Sequence, residues 1–269
     1  MGICSDDATT YLNRLGYNVV RHPQGAIKPL HLIGRQGGTT NYLGSIEQIL
    51  VKPAAQLPPI EPDIDATDIN GQNTSSLKLG VGANILGSVV GAMGGNLGVN
   101  TSYTNAKTVQ FQFTGVKKDR TAPLSVSDYL RNAEIDAASP LVAQYVLGNG
   151  NLYVITEIVR SKVLVVTYQS ETGVAASVDV PAVQNLVGAN VSAQADSAAT
   201  GKVTYSGPAF LTFGFRCFEV GVKAGVVTLF AVKPGGATAL AVGDVSTDQG
   251  LIAASSLLTQ PNGGLLDLQ

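Results

Sequence analysis

The sequence predicts an α+β fold, and three observations lead there. Several stretches alternate apolar and polar residues with the two-residue period of a strand. Others repeat apolar residues at helical spacing behind a capping residue. The two kinds follow one another without a βαβ rhythm, which disfavours a doubly wound parallel sheet. Hydrophobic residues make up 45 % of 269, ample for a core and too many for a largely disordered chain.

Ser5 can cap a first helix, with Asp6 and Asp7 favourable in its first turn. Ala8, Tyr11, Leu12 and Leu15 repeat at helical spacing, and Gly16 ends the run. Tyr17-Asn18-Val19-Val20 reads as a short strand. Arg14, Arg21, Lys28 and Arg35, with His22 and His31, make this region locally basic. Thr40 can cap a second helix carrying Leu43, Ile46, Ile49 and Leu50 on one face. Residues 53–73 are rich in Pro, Asp and Asn and read as a loop. Leu77, Leu79 and Val81 alternate with Lys78 and Gly80 as in a strand. Residues 84–93 read as a short helix with Ile85, Leu86, Val89, Val90 and Met93 on one side. In residues 106–114, Val109, Phe111 and Phe113 face one way; Thr108, Gln110, Gln112 and Thr114 form an uncharged opposite face.

Helices are expected at about 126–136 and 140–147, the second with Ser139 as cap and Pro140 at its first position. Leu152–Val159 and Val163–Tyr168 read as a β-hairpin turning at Arg160-Ser161-Lys162. A short helix is expected at 181–187, and strands at about 189–194, 202–206, 209–220 and 226–232. Leu211, Phe213, Phe215 and Cys217 share a face; the phase then flips to Phe218, Val220 and Val222, which suggests a bulge. Lys233-Pro234-Gly235-Gly236 breaks the last strand. Beyond about 237 the tail is apolar, with no charge between Asp248 and Asp267, and it must dock or aggregate.

Composition narrows the function classes. Charged residues are 13 %, about half the ~25 % usual in soluble domains. Net charge is −2, so nucleic-acid binding, which wants a strong positive excess, is not expected. Two cysteines make no disulfide scaffold and have no metal-ligand spacing. Two Asp by position 7 argue against a secretory signal. Asp6 stands where the myristoylation pattern wants Ser or Thr. Cys4 is a candidate for S-acylation; from the residues alone a free cytosolic thiol is favoured. The uncharged run between Lys78 and Lys107 is too rich in Gly and Asn for a spanning helix.

No catalytic constellation stands out. Neither histidine sits in an HExxH pattern, and no GxSxG or GxxxxGK[ST] occurs. Gly80-Val81-Gly82 lacks the third glycine of a dinucleotide fingerprint, because position 85 is Ile. Cys217 reads as core, His22 and His31 as surface or capping groups, and the acidic stretch Glu61, Asp63, Asp65 and Asp68 as a solvated loop. An enzyme with an unrecognised site is the weakest alternative. A soluble module with a groove for a lipid or other apolar ligand is another.

Several segments resemble bacterial gasdermins. They are Met-Gly-Ile-Cys-Ser at the start, Tyr11–Arg21, Leu79–Gly95, Leu152–Val159 and Ala209–Arg216. The resemblance implies a twisted, mainly antiparallel central sheet with surrounding helices, in an autoinhibited monomer that refolds into a membrane β-barrel. It implies a pore-forming domain over 1–240 and an inhibitory peptide over 241–269. It also implies antiphage cell death triggered when a neighbouring, often caspase-like, protease removes the peptide. Asp244 and Asp248 are the cleavage candidates within about 237–250. Leu251, Ile252, Leu257 and Leu258 are the expected inhibitory contacts. Cys4 becomes the favoured site of a palmitoyl group; no other cofactor is expected. Segments 75–115 and 160–206 are the expected spanning hairpins, with Val109, Phe111 and Phe113 in a pore strand. Arg14, Arg21, Lys28 and Arg35 are candidates for anionic head groups. The chain is expected in the cytoplasm before cleavage and in the inner membrane, as a homo-oligomer, afterwards.

Overall fold

The computed structural model describes Leu12 and residues 15–52, 56–66, 77–81, 108–131, 133–136, 138–169, 192–197, 202–223, 226–233 and 236–239, then Leu258 and residues 266–269. Among these residues the architecture is a twelve-stranded sheet with every ladder antiparallel, a two-stranded ribbon and two short α-helices. Its strands in chain order are β1 (Asn18–Gln24), β2 (His31–Gln36), β3 (Thr39–Ser45), β4 (Leu50–Lys52), β5 (Glu61–Asp65), β6 (Leu77–Val81) and β7 (Thr108–Thr114). They continue with β8 (Lys117–Arg120), β9 (Glu134–Ile135), β10 (Asn151–Gln169), β11 (Ser192–Ser197), β12 (Lys202–Lys223), β13 (Val226–Lys233) and β14 (Gly236–Ala239). The helices are α1 (Pro123–Arg131) and α2 (Pro140–Val146).

Two strands organise the sheet. β10 and β12 run side by side for 19 and 22 residues. Each is long enough to change neighbours along its length. β10 lies beside β2 at residues 151–154, beside β8 at 157–160 and beside β7 at 163–169. β12 lies beside β11 at 202–206, beside β1 at 212–215 and beside β13 at 219–223.

The expected hairpin at Arg160-Ser161-Lys162 is therefore absent: β10 passes straight through. The tripeptide lacks the Gly or Asn that a tight turn requires. A register shift sits there instead, and the Ser161 hydroxyl mends it. It donates to the Thr114 carbonyl and accepts from the Val163 N–H at 3.0 Å. Strands expected separately at 202–206 and 209–220 are likewise one element.

The helix expected behind Thr40 is also absent. Gly37 and Gly38 both have positive φ, 57° and 89°, and make the tight turn between β2 and β3. The helix-like spacing arises because the 3₁₀ turn Ile46–Ile49 buries Ile46 and Ile49 after β3 ends. Within the supposed loop at 53–73, Glu61–Asp65 pairs with β8 as a strand. Arg120 faces Glu61 at 2.9 Å and Lys117 faces Asp65 at 2.5 Å across that ladder. α1 starts at Pro123 and stops at Arg131, earlier than expected at both ends. Of the helix expected from Ser5, only Leu12 and Leu15 lie among the described residues; Gly16 has the geometry of a helix stop. It has φ 82°, and the Tyr17 N–H reaches back to the Leu12 carbonyl at 2.9 Å.

Alternation along the central strands sorts side chains onto two buried faces. One face gathers Leu32, Leu152, Val154, Phe218 and Val220 with Val126, Tyr129 and Leu130 of α1 and Val142 and Tyr145 of α2. The other gathers Ile33, Tyr153, Ile155, Phe215 and Cys217 with Val20, Ile27, Leu258 and Leu266. This explains the phase flip at Cys217-Phe218: both faces of β12 are covered, so apolar residues fall on each. The nearby register shift lies across from it, in β10 between Ile155 and Glu157.

Candidate functional site

The helices cover one face of the sheet, and residues from the end of the chain help cover the other. Leu258 and Leu266 are buried there to 2 % and 6 % exposure. Their backbone is held as firmly as their side chains. The Leu258 N–H donates to Asn18 Oδ1 at 2.6 Å. Asn18 is buried in β1, and its Nδ2 points at Cys217 Sγ, 3.6 Å away. The Leu266 N–H donates to the Val19 carbonyl at 2.7 Å, and Leu266 bridges Val20 in parallel. The Gln269 N–H donates to the Thr40 carbonyl at 3.0 Å. The Tyr42 N–H donates to the Gln269 carbonyl oxygen, also at 3.0 Å. β3 ends the main sheet path, so residue 269 occupies its outer edge. The tail thus straps β1 to β3 and pairs main-chain groups that would otherwise stand open.

The ground under the strap is apolar with a few fixed charges at its margin. Burial pushes the Cys217 thiol well up, with Glu219 adding to it, so the sulfur is a neutral packing group. Burial also raises the Tyr153 hydroxyl, and Glu219 acts in the same direction. His31 hydrogen-bonds the Tyr42 hydroxyl beside the Gln269 contact. Its pKa is lowered first by burial and then by Lys28. On the opposite side of β12 from Phe215 and Cys217, Arg216 pairs with Glu157 at 3.3 Å, and its guanidinium lies 4.2 Å from the Tyr17 ring centre. The Tyr17 hydroxyl also donates to Glu157, which completes a buried polar group.

The far halves of β10 and β12 leave this body and carry a second array. There the strand order is β6, β7, β10, β12, β11. The uncharged strand with Val109, Phe111 and Phe113 lies beside Tyr168, Val166 and Leu164 of β10. Phe113 is buried and stacks on Phe213 at 4.5 Å between centroids. Arg160 stands where body and array meet. It pairs with Asp119 at 2.9 Å and Asp63 at 3.0 Å, and lies 4.3 Å from the Phe210 ring centre. No described helix is long and apolar enough to cross a membrane; strands are another matter. Among the described residues no group of three His, Cys, Asp or Glu side chains is placed to hold a metal.

The sequence profile described as the Bacterial Gasdermin Family matches residues 20–226. The chain belongs to the bacterial gasdermin family. A gasdermin of Vitiosangium sp. is 45 % identical over 269 residues, 100 % of this chain and 99 % of the relative. One from a Desulfuromonadales bacterium is 36 % identical over 250 residues, 91 % of this chain and 93 % of the relative. The solved structure of a bacterial gasdermin from Bradyrhizobium tropiciagri matches with a TM-score of 0.56 at 19 % identity. That match spans 84 % of this chain and 92 % of that one, and it bears out the α+β fold with its antiparallel sheet. Membership makes this chain a pore-forming gasdermin.

Of the inhibitory contacts expected in this gasdermin from its sequence, Leu258 is among the described residues and forms part of the strap. Leu251, Ile252 and Leu257 lie outside the described residues, as do Cys4, Arg14, Asp244 and Asp248. So do the expected helices at 84–93 and 181–187. For Arg21, Val109 and Phe111 the backbone is described and the side chain is not. Lys28 is exposed before β2 and Arg35 is half-buried near its other end, so the strand separates these two. Segments 75–115 and 160–206 meet through the ladder between β7 and β10. Sequence reasoning missed Asn18, Leu266 and the edge of β3 at Thr40 and Tyr42. A signal for Leu266 existed in the apolar tail. None existed for Asn18, whose role depends on a partner 240 positions away.

Proposed function

We propose that this gasdermin is kept inactive by its tail and forms an oligomeric membrane pore once a protease removes that tail. The observation that carries the reading is the strap itself: Leu258 and Leu266 seal an apolar face, and Gln269 covers the outer edge of β3. Freed of it, the sheet has main-chain groups and apolar surface to offer to another copy or to lipid. β10 and β12 supply continuous strands well beyond the ~9–11 residues that cross a bilayer. A closed ring of such strands satisfies every main-chain hydrogen bond in lipid. The cut is proposed within 237–250, at Asp244 or Asp248 if the protease is caspase-like. A palmitoyl group on Cys4 would give weak membrane affinity alone and strong affinity when many copies assemble. Lys28 and Arg35, with Arg14 and Arg21, would meet anionic head groups. Death of a phage-infected cell by loss of its inner membrane barrier is the proposed outcome.

Dye-filled vesicles with anionic lipid test this. Full-length protein should retain the dye, and protein cut within 237–250 should release it. Equal inertness of several cut forms would overturn the reading and favour a soluble module with an apolar groove. Intact mass, compared with Cys4→Ala, checks the acyl chain.

A further inference from the structure

We propose that the face under the strap is a peptide-binding site in its own right, where the severed tail stays seated as a separate inhibitory peptide until it dissociates. The inference rests on the protease-activated reading above. Every described contact of the tail lies beyond the proposed cut. Leu258 sits on Asn18, Leu266 on Val19 and Val20, and Gln269 on Thr40 and Tyr42. A cut within 237–250 breaks none of them. It removes a tether, and a tether supplies only effective concentration, of the order of mM for a short flexible linker.

The site has the parts of a strand-addition groove. Main-chain groups of β1 and β3 provide binding, and the two buried leucine positions provide selectivity. Leu258 and Leu266 fill those positions, packed with Ile33, Ile155, Phe215 and Cys217. Asn18 adds a polar check, because its buried amide accepts the Leu258 N–H. Departure of the peptide opens main-chain groups at the β3 edge and the apolar face together. Water is a poor substitute for that face, so the vacated site favours recapture of the peptide. Once the covalent link is gone, recapture depends on the concentration of free tail. Activation is then governed by dilution of the tail or by lipid and neighbouring copies taking its place.

The test uses the full chain with a protease site placed within 241–250 and cut in solution. Native mass spectrometry without lipid should find body and tail together. A labelled synthetic peptide of residues 251–269 should exchange onto the cut protein, read by fluorescence anisotropy. Added in excess with vesicles, at about 100 µM, the unlabelled peptide should slow leakage at least about tenfold. The same peptide carrying Leu258→Asp and Leu266→Asp should do neither. Asn18→Ala in the body should speed release of the tail. Should that variant not fold, the altered peptide still decides. Immediate separation of the tail on cutting, with no binding of the peptide at that concentration, overturns the proposal. If the cut protein binds peptide but never leaks, the pore reading fails and the binding site stands.

Discussion

Leu258 and Asn18 lie 240 positions apart in sequence and meet across one hydrogen bond under the strap. Truncating Leu258 leaves a cavity between β12 and the strap, and a buried Leu→Ala change costs about 2–5 kcal/mol. Leu258→Ala should therefore lower the urea midpoint clearly and make the uncut protein slowly leaky. A loss below about 0.5 kcal/mol, the range of surface changes, would mean that the side chain does not pack as described. His31 yields a second prediction. Burial and Lys28 hold its pKa below the unfolded value of 6.5. The unfolded chain then binds the extra proton first as pH falls, so stability is full above 6.5 and declines below it. The melting temperature should drop between pH 7.5 and pH 5.5 by more in the natural protein than in His31→Gln. Equal drops would assign the acid sensitivity elsewhere. At this scale the sequence was readable where chemistry is local. Gly16 as a helix stop and Cys217 as core follow from residue type. Asn18 does not, because a polar residue in a strand carries no mark of its distant partner.

Among elements, strands were easier to find than to join. Period-two alternation located β6, β7, both halves of β10 and both halves of β12. It was silent on continuity, because a register shift mended by Ser161 looks like a turn when only the residues are read. The helix expected behind Thr40 failed for a related reason. Leu43, Ile46 and Ile49 have helical spacing, yet the paired glycines Gly37 and Gly38 fix a hairpin first. Tertiary pairing overrides local propensity when a turn sets register. α2 gives a sharp check on capping. Ser139 occupies the cap position, but its side chain makes no cap hydrogen bond. Asp136 Oδ1 instead accepts from the Ala138 and Ser139 N–H groups, each at 3.2 Å. Ser139→Ala should therefore cost less than about 0.5 kcal/mol, against the ~1 kcal/mol of a working serine cap. Asp136→Ala should cost more than Ser139→Ala in the same thermal unfolding series. The reverse order would return the cap to Ser139.

At the scale of the whole molecule, the two faces of the sheet are covered by unlike materials. The helix face is built from segments closely joined to the sheet, with α1, α2 and the 3₁₀ turn each contributing buried side chains. The strap face borrows Leu258 and Leu266 from the end of the chain. An apolar tail in need of a docking place was legible in the sequence. Where it docks was not, since that depends on β1 and β3 flanking one face of the assembled sheet. This asymmetry predicts a hierarchy of opening, because regions held by few contacts unfold locally before the global transition. The Tyr42 amide donates to Gln269, whereas the central amides of β10 and β12 are locked in a long ladder. Hydrogen exchange on the uncut protein should therefore release Tyr42 and Leu266 well before Val154 or Phe218. Cutting within 237–250 and diluting should accelerate exchange at Tyr42 while leaving Val154 protected. Simultaneous loss at all four amides would make the strap part of one cooperative unit. Departure of the tail would then unfold the body rather than uncover a ready-made surface.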